Sequence, residues 1–335
     1  MTEKPKIALY WCSSCGGCEE SVVDLAVDIL EITRLADIIF WPVALDTKYK
    51  DLKALHDNEI ALTLINGAIR MDEQASMVRL LRRKSKILMA HGSCAHLGGV
   101  VGLANFFQRE EILQRIYHTI PTVRHAGEPI FPGDESAGGE PLPYFNDRVQ
   151  TLDQVVSVDY YIPGCPPTPE LIKEAILATL ADRLPEKGSV LADDKALCHS
   201  CPLVETKPDV IHIQGFKRVY EVEWDPTRCF LDQGIICLGP ATRGGCGARC
   251  IGANMPCRGC FGPLDNVLDQ GAKASALLSA IIDTADSKEL EKIADSVPDP
   301  GGLFYRYGLA ASMLRGRLHR LPPEGGHVDD EREDG

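Results

Sequence analysis

Short apolar runs alternate with amphipathic stretches over the first 185 residues of the chain. Residues 6–11 (KIALYW) read as a buried strand. Residues 19–33 read as a helix, with Val22, Val23, Ala26, Ile29 and Leu30 on one face. The pattern continues as strand 36–44, helix 49–55, strand 59–68, helix 72–83 and strand 86–92. Two helices near 98–107 and 108–117 follow, then strand 155–163 and helix 168–184. Strands alternating with helices predict a parallel sheet covered on both faces. Five strands in this order predict a flavodoxin-like, doubly wound α/β fold. Trp11, Phe40 and Trp41 fall in these strands and are expected in the core.

The pattern changes twice. Residues 124–148 hold a Gly/Pro-rich insert, too long for an ordinary connection. From about residue 185 the apolar runs thin out, and helices return only after Pro263, over 267–285 and 288–297. The expected division is a flavodoxin-like domain over residues 1–185, a loop-rich domain with few helices over 186–320 and an acidic tail over 321–335, read as disordered. A segment so poor in apolar runs buries little core by itself, so bound metal is expected to hold 186–320 together.

That expectation rests on cysteine. The chain has 13. Cys12, Cys15 and Cys18 follow the first strand, Cys94 follows strand 86–92, and Cys165 follows strand 155–163. All lie at carboxyl ends of parallel strands, where open α/β sheets gather their ligands. Gly16, Gly17, Gly92, Gly98, Gly99 and Gly164 accompany them, and glycine lets backbone approach a bulky inorganic core. The other cysteines crowd together: Cys198, Cys201, Cys229, Cys237, Cys246, Cys250, Cys257 and Cys260. A cubane iron–sulfur cluster takes four thiolates. Thirteen is three fours and one over.

Three other readings compete. Cys94 and Cys165 could be buried apolar thiols. A thioredoxin-like C-x-x-C explains the first motif but none of the later cysteines. Two zinc sites also take four thiolates each, and spacing alone neither excludes them nor fixes how the last eight cysteines divide. Zinc gives no broad brown absorption, so a visible spectrum separates the two. His91, His96 and His199 sit near cysteines and are read as surrounding or surface groups; Glu19 and Glu20 are read as first-turn acids favoured by the helix dipole.

Composition narrows the setting. A net charge of −13 argues against nucleic acid, and no basic run points to a membrane surface. No apolar stretch approaches the roughly 18–20 residues of a spanning helix. The N-terminal MTEKPKIALYW has no signal-peptide layout, so a cytoplasmic protein is expected, and in a reducing compartment dense cysteine favours metal over disulfides. Neither Walker A nor G-x-G-x-x-G occurs.

CGGCEES, GSCAHLGG, GCPPTPE, CHSC, CLGP and CIGANMPCRGC together carry a resemblance. The chain resembles the small subunit of NiFe hydrogenases, most closely the cytoplasmic methyl-viologen-reducing type that feeds heterodisulfide reductase. The resemblance covers nearly the whole chain up to the tail. It implies an oxidoreductase subunit with no catalytic residue of its own, H₂ being split on the large subunit. It implies a proximal 4Fe–4S cluster on Cys15, Cys18, Cys94 and Cys165, leaving Cys12 spare. It implies a medial cluster on Cys246, Cys250, Cys257 and Cys260, and a distal one on Cys198, Cys201, Cys229 and Cys237. Many relatives carry histidine at the place of Cys198 and proline at that of Cys250; thiolates at both imply three four-iron clusters. The implied partners are a NiFe large subunit, a ferredoxin-like adaptor and heterodisulfide reductase. The alternatives are a cluster subunit of another redox complex, complex I-like or deazaflavin-reducing, and a zinc-stabilised interaction scaffold. CGGC counts against the complex I-like reading, whose first motif usually has adjacent cysteines.

Overall fold

The computed structural model describes residues 3–122, 124, 142–297 and 299–314. The acidic tail and most of the insert therefore lie outside the described residues. In chain order the regular elements of the first part are β1 (Lys6–Trp11), α1 (Gly17–Val23), α2 (Asp28–Leu35), β2 (Asp37–Phe40), α3 (Tyr49–Ala54), β3 (Ile60–Asn66), β4 (Ile69–Met71), α4 (Asp72–Lys84), β5 (Ser85–His91), α5 (Ser93–Leu97), α6 (Arg109–Gln114), β6 (Phe145–Gln150), β7 (Tyr160–Ile162) and α7 (Pro169–Leu180).

Five strands form the main sheet in the order β2-β1-β3-β5-β7. All four pairings are parallel. Counting only these strands, the order is that of the flavodoxin-like doubly wound fold, as the alternation predicts. β3 is almost wholly buried because it lies at the centre with helices on both faces. Alternation along β1 sends Ile7 and Leu9 to one core, with Leu62, Met89 and Ile172. It sends Ala8 to the other, with Phe40, Leu52, Ile65 and Leu81. The helices are set by their ends as well as by their apolar faces. α4 has Asp72 and Glu73 in its first turn and Arg82, Arg83 and Lys84 in its last, each complementing the helix dipole. α7 starts at Thr168, whose hydroxyl accepts the Leu171 N–H, with Pro169 at its first position.

Several elements differ from the pattern. The helix expected over 19–33 is two, because Ala26 takes a left-handed conformation (φ 50°). The break turns α2 onto α7, where Lys173 bridges Asp28 and Glu31. β2 is shorter than 36–44, since Pro42 has no N–H to continue the ladder. β7 is only Tyr160–Ile162; Val155 and Val156 instead close a turn buried in the core. The helix expected over 98–107 is a 3₁₀ segment, Val100–Phe106. The far end of the insert supplies β6, which pairs antiparallel with β4.

After residue 185 regular structure is sparse: 3₁₀ turns, then α8 (Arg249–Gly252), α9 (Gln270–Ala280), α10 (Ser287–Asp295) and α11 (Pro300–Phe304). Two small apolar clusters lie here. One joins Ile211, Leu231, Leu238, Ala274 and Leu278; the other joins Leu197, Phe230, Ile235, Ile251 and Cys257. Partly buried cysteines pack against both. The two parts of the chain are stitched by Gly99 N–H to the Tyr307 carbonyl (3.0 Å) and by the Gln154 side chain to the Ala310 carbonyl (3.0 Å). No helix among the described residues is long and apolar enough to cross a membrane.

One buried charge network ties β5 to β7. Asp159 accepts from Arg82 (2.6 Å), Lys187 (2.7 Å) and the Leu88 amide (2.8 Å). Burial pulls its carboxyl upward, but the bonds from Lys187, Arg82 and Leu88 outweigh this and hold it below its ordinary value. Its stabilisation is therefore present above the unfolded carboxyl value of about 4 and is lost as pH falls through the lower folded value. We expect Asp159→Ala to lower stability by about 3 kcal/mol at pH 7 because it strands the Arg82 guanidinium. The deficit should shrink as the medium is acidified. Denaturant unfolding of the two proteins across pH checks this, and a deficit that grows on acidification would contradict it.

Candidate metal centres

The sheet edge assembles the first group of thiols. β1 ends at Trp11, and the next residues are tied to the strand beside it: Cys12 N–H bonds to the Asn66 carbonyl (2.8 Å) and Ser13 N–H to that of Ala68 (2.9 Å). Gly16 (φ 87°) then turns the chain into α1, which carries Cys18. β5 leads through Gly92 (φ 87°) into α5, which carries Cys94. β7 leads through Gly164 to Cys165. The last two loops are laced together by Gly92 N–H to Ile162 (2.8 Å) and Ser93 N–H to Gly164 (2.7 Å).

Four of the five cysteines converge. After burial, the Cys18 thiol is pushed up by Cys94, Cys165 and Cys15. Cys94 is pushed up to about 12 by burial and then by Cys165 and Cys15. Cys12 stands apart. It is 5% exposed and packs among Ala8, Phe40 and Ile65, and burial alone raises it. Glycine makes room for the four sulfurs. A Cβ on Gly92 would meet the Cys18 sulfur at 2.4 Å, and one on Gly99 would meet the Cys94 sulfur at 2.3 Å.

Seven of the other eight cysteines fall into two groups by proximity, and Cys257 adjoins both. Burial raises Cys198 to about 12, helped by Cys237, Cys201 and Cys229. Cys198 and Cys201 sit at the 3₁₀ turn Leu197–Ser200, and Gly239 lies against the sulfurs of Cys198 and Cys237. Cys246, Cys250, Cys257 and Cys260 line a cavity of about 330 Å³. Cys165 lines the same cavity, so the first group and this one are neighbours. The Cys260 sulfur accepts the Cys165 N–H, and the Ser93 hydroxyl bonds to the Cys260 carbonyl (2.5 Å). On the far side, Cys257 N–H bonds to the Cys237 sulfur (3.3 Å). Cys257 is raised more by Cys237 than by Cys260, so it stands at a seam. The thiols thus run in a row: 15/18/94/165, then 246/250/260, then 198/201/229/237, with Cys257 between the last two sets.

The donor set suits thiolate-bound inorganic clusters. Backbone N–H groups reach Cys94 from Val100, Cys201 from Leu203 (3.4 Å), Cys237 from Gly239 and Cys257 from Gly259. Such bonds stabilise negative sulfur and tune the metal it holds. Among the described residues, no three His, Cys, Asp or Glu side chains close on one point fit for a single metal ion. A cubane asks for a different arrangement, one thiolate at each of four separate corners.

The polar and aromatic residues around the thiols fall into several environments. His91 is fully buried and held down to about 4 by burial, hence neutral. His96 packs against Tyr161 with the rings tilted (4.5 Å between centres), and His199 is exposed. Trp11, expected in the core, is 41% exposed, with its ring over Gly16; Phe40 and Trp41 are buried as expected. Glu20 is an exposed first-turn acid, but Glu19 is buried. Burial raises the Glu19 carboxyl, and bonds from Trp41 Nε1 and Asn66 Nδ2 oppose the rise. Sequence reasoning missed this carboxylate and its anchor. The available signal was Asn66, an amide ending a central, mostly apolar strand on the edge that gathers the cysteines.

Residues 15–179 match the family described as NADH ubiquinone oxidoreductase, 20 Kd subunit. Over 94% of the chain and 99% of the relative, the chain is 37% identical to the iron–sulfur subunit of the F420-non-reducing hydrogenase of Archaeoglobus profundus. It is 33% identical to the corresponding F420-non-reducing hydrogenase subunit of Methanothermobacter thermautotrophicus over 96% of the chain and 99% of that protein. A solved NAD⁺-reducing NiFe hydrogenase in the H₂-reduced state aligns with 55% of this chain and 95% of its own, at 28% identity and a TM-score of 0.47.

Gly92→Ala should expel Cys18 from its position, because neither the sulfur nor the left-handed turn accommodates a methyl group. The variant is expected to lose the iron of the first group alone, about four atoms. Cys12→Ala should keep its full iron content. Iron analysis of the two anaerobically purified variants decides; iron lost from Cys12→Ala but retained in Gly92→Ala would reverse the assignment.

Proposed function

This chain belongs to the family of the F420-non-reducing hydrogenase iron–sulfur subunits, and from that premise we propose that it conducts electrons from H₂ oxidation on a NiFe large subunit through three 4Fe–4S clusters to an acceptor protein. It is an oxidoreductase subunit. The observation that supports the proposal is the single row of thiols, in which Cys165 N–H reaches Cys260 and Cys257 N–H reaches Cys237. The family model stops at residue 179, whereas the hydrogenase relatives match through the part holding the last eight cysteines.

Carried through, the reading assigns the proximal cluster to Cys15, Cys18, Cys94 and Cys165. The medial one goes to Cys246, Cys250, Cys257 and Cys260, and the distal one to Cys198, Cys201, Cys229 and Cys237. Cys12 holds nothing. The large subunit sits against the edge around Cys15, which is exposed. The acceptor sits at the far end of the row, and a ferredoxin-like adaptor leading to heterodisulfide reductase in the cytoplasm is our reading of it. The domains divide at residues 185 and 320.

Bound clusters supply one-electron exchange with little rearrangement. The protein's own groups do the rest. Burial makes a bare thiolate unfavourable at Cys94, Cys198 and Cys260, each pushed up to about 12, so those sulfurs exchange a proton for metal rather than standing charged alone. Amide donors fix the sulfurs in place, and the glycines keep side chains off them.

Purified anaerobically, each chain should hold about twelve irons and twelve sulfides. The chain alone should not reduce dye with H₂, and reassembly with a NiFe large subunit should restore that activity. Four irons with two zincs per chain, or H₂ uptake by the nickel-free single chain, would refute the proposal.

Cys250 tests how the last eight thiols divide. It raises Cys260 and shares a cavity with Cys246 and Cys257. Cys250→Pro removes one corner thiolate, so the variant should show a new three-iron electron paramagnetic resonance signal when oxidised, with the other two clusters intact. Loss of the distal cluster instead would move Cys250 to the other group.

A further inference from the structure

A basic cavity lies beside the loops that join the second and third thiol groups, since Ile236 and Pro256 in its lining are the chain neighbours of Cys237 and Cys257. It has a volume of about 300 Å³, and four cations line it: Lys217, Arg218, Arg258 and Arg306. This is unexpected in a chain of net charge −13. Asp299 is the one carboxylate in the lining. Its Oδ1 is engaged in capping α11, accepting the Gly302 N–H at 2.9 Å. The nearby Glu221 is likewise engaged, accepting the Arg218 backbone N–H at 2.8 Å. Lys217 and Arg258 have no ionic or hydrogen-bonded side-chain partner among the described residues. Arg306 spends one N–H on the Gly302 carbonyl (3.3 Å), and the rest of its fork is uncommitted among the described residues.

Four like charges around one hollow repel one another, and a bound anion relieves that repulsion. The remaining lining indicates which anion. Guanidinium forks match phosphate oxygens in pairs, which a lysine beside them reinforces as a point charge. Ile235, Ile236 and Leu303 give the cavity an apolar floor. Tyr220 stands 74% exposed at the rim, with the Arg218 guanidinium 5.8 Å from its ring centre. An exposed aromatic with a guanidinium over its ring is a platform for a flat ring. The volume lies at the small end of ligand cavities, the size of one nucleotide rather than a dinucleotide.

We propose that this cavity binds a nucleotide-sized phosphate ester, with the phosphates on Arg258, Arg306 and Lys217 and the ring against Tyr220 and Arg218. Neither a Walker A loop nor a dinucleotide fingerprint is involved; the site is built from side chains of loops that otherwise carry cysteines. It stands on the lining residues alone and holds whether or not the electron-transfer reading does.

The test is calorimetric titration of ADP into the complex as purified from cells, under anaerobic conditions and at low salt. One saturable site per chain is expected. Lys217→Ala/Arg218→Ala, both positions being exposed, should weaken it at least tenfold while leaving iron content unchanged. Tyr220→Ala should weaken ADP several-fold but leave pyrophosphate binding as it was. In competition, pyrophosphate should displace ADP from the unaltered protein and adenosine should not. Absence of saturable binding, equal affinity in the double variant, or displacement by adenosine alone would overturn the proposal. So would loss of a subunit from the double variant when the unaltered complex takes up no ADP, since the cavity would then be holding an acidic segment of a partner.

Discussion

Negative sulfur out of water is costly, and most of what surrounds the cysteines in this chain answers that cost. Burial pushes Cys94, Cys198 and Cys260 up to about 12 and Cys237 up to about 11. Two remedies recur along the row. Backbone N–H groups point at sulfur, as Val100 does at Cys94, Gly239 at Cys237 and Gly259 at Cys257. Space is kept open by residues without side chains, as at Gly92 and Gly99. The parallel sheet contributes by bringing the ends of β1, β5 and β7 to one edge, which is how cysteines separated by 150 residues share a site.

How far these arrangements could be read from sequence depends on their range. The alternation of strands and helices is a local signal, and it yields the doubly wound sheet and the placement of Cys15, Cys18, Cys94 and Cys165 at its edge. Breaks inside elements are less visible. Nothing in residues 19–33 announces the left-handed Ala26, since its neighbours keep the helical period; the break serves the packing of α2 on α7 through Lys173. Trp11 looks like core because it ends an apolar strand, yet its place at the carboxyl end puts it over the thiol loop. Glu19 looks like a surface acid because its two anchors, Trp41 and Asn66, are far away in sequence. The division of the last eight cysteines depends wholly on through-space neighbours, which spacing does not encode.

The two parts of the chain rely on their thiols differently. In the first, the apolar clusters on either face of the sheet include one cysteine, Cys12, which lies outside the converging set, and otherwise close without cysteine. In the second, Cys201, Cys229, Cys237, Cys246 and Cys257 are themselves members of the small apolar clusters or pack against them. Under the proposed assignment, metal ligation and core packing there draw on the same side chains. That is the physical sense in which a segment poor in apolar runs still holds a defined shape.

The seam at Cys257 carries a further consequence. Cys257 lines the cavity shared by Cys246, Cys250 and Cys260, while its backbone N–H serves the Cys237 sulfur. Cys165 and Cys260 are coupled in the same way on the other side. A substitution that shifts either loop therefore perturbs two centres at once. Adjustment of one group alone falls to residues that touch a single group, such as Val100 beside Cys94 or Leu203 beside Cys201.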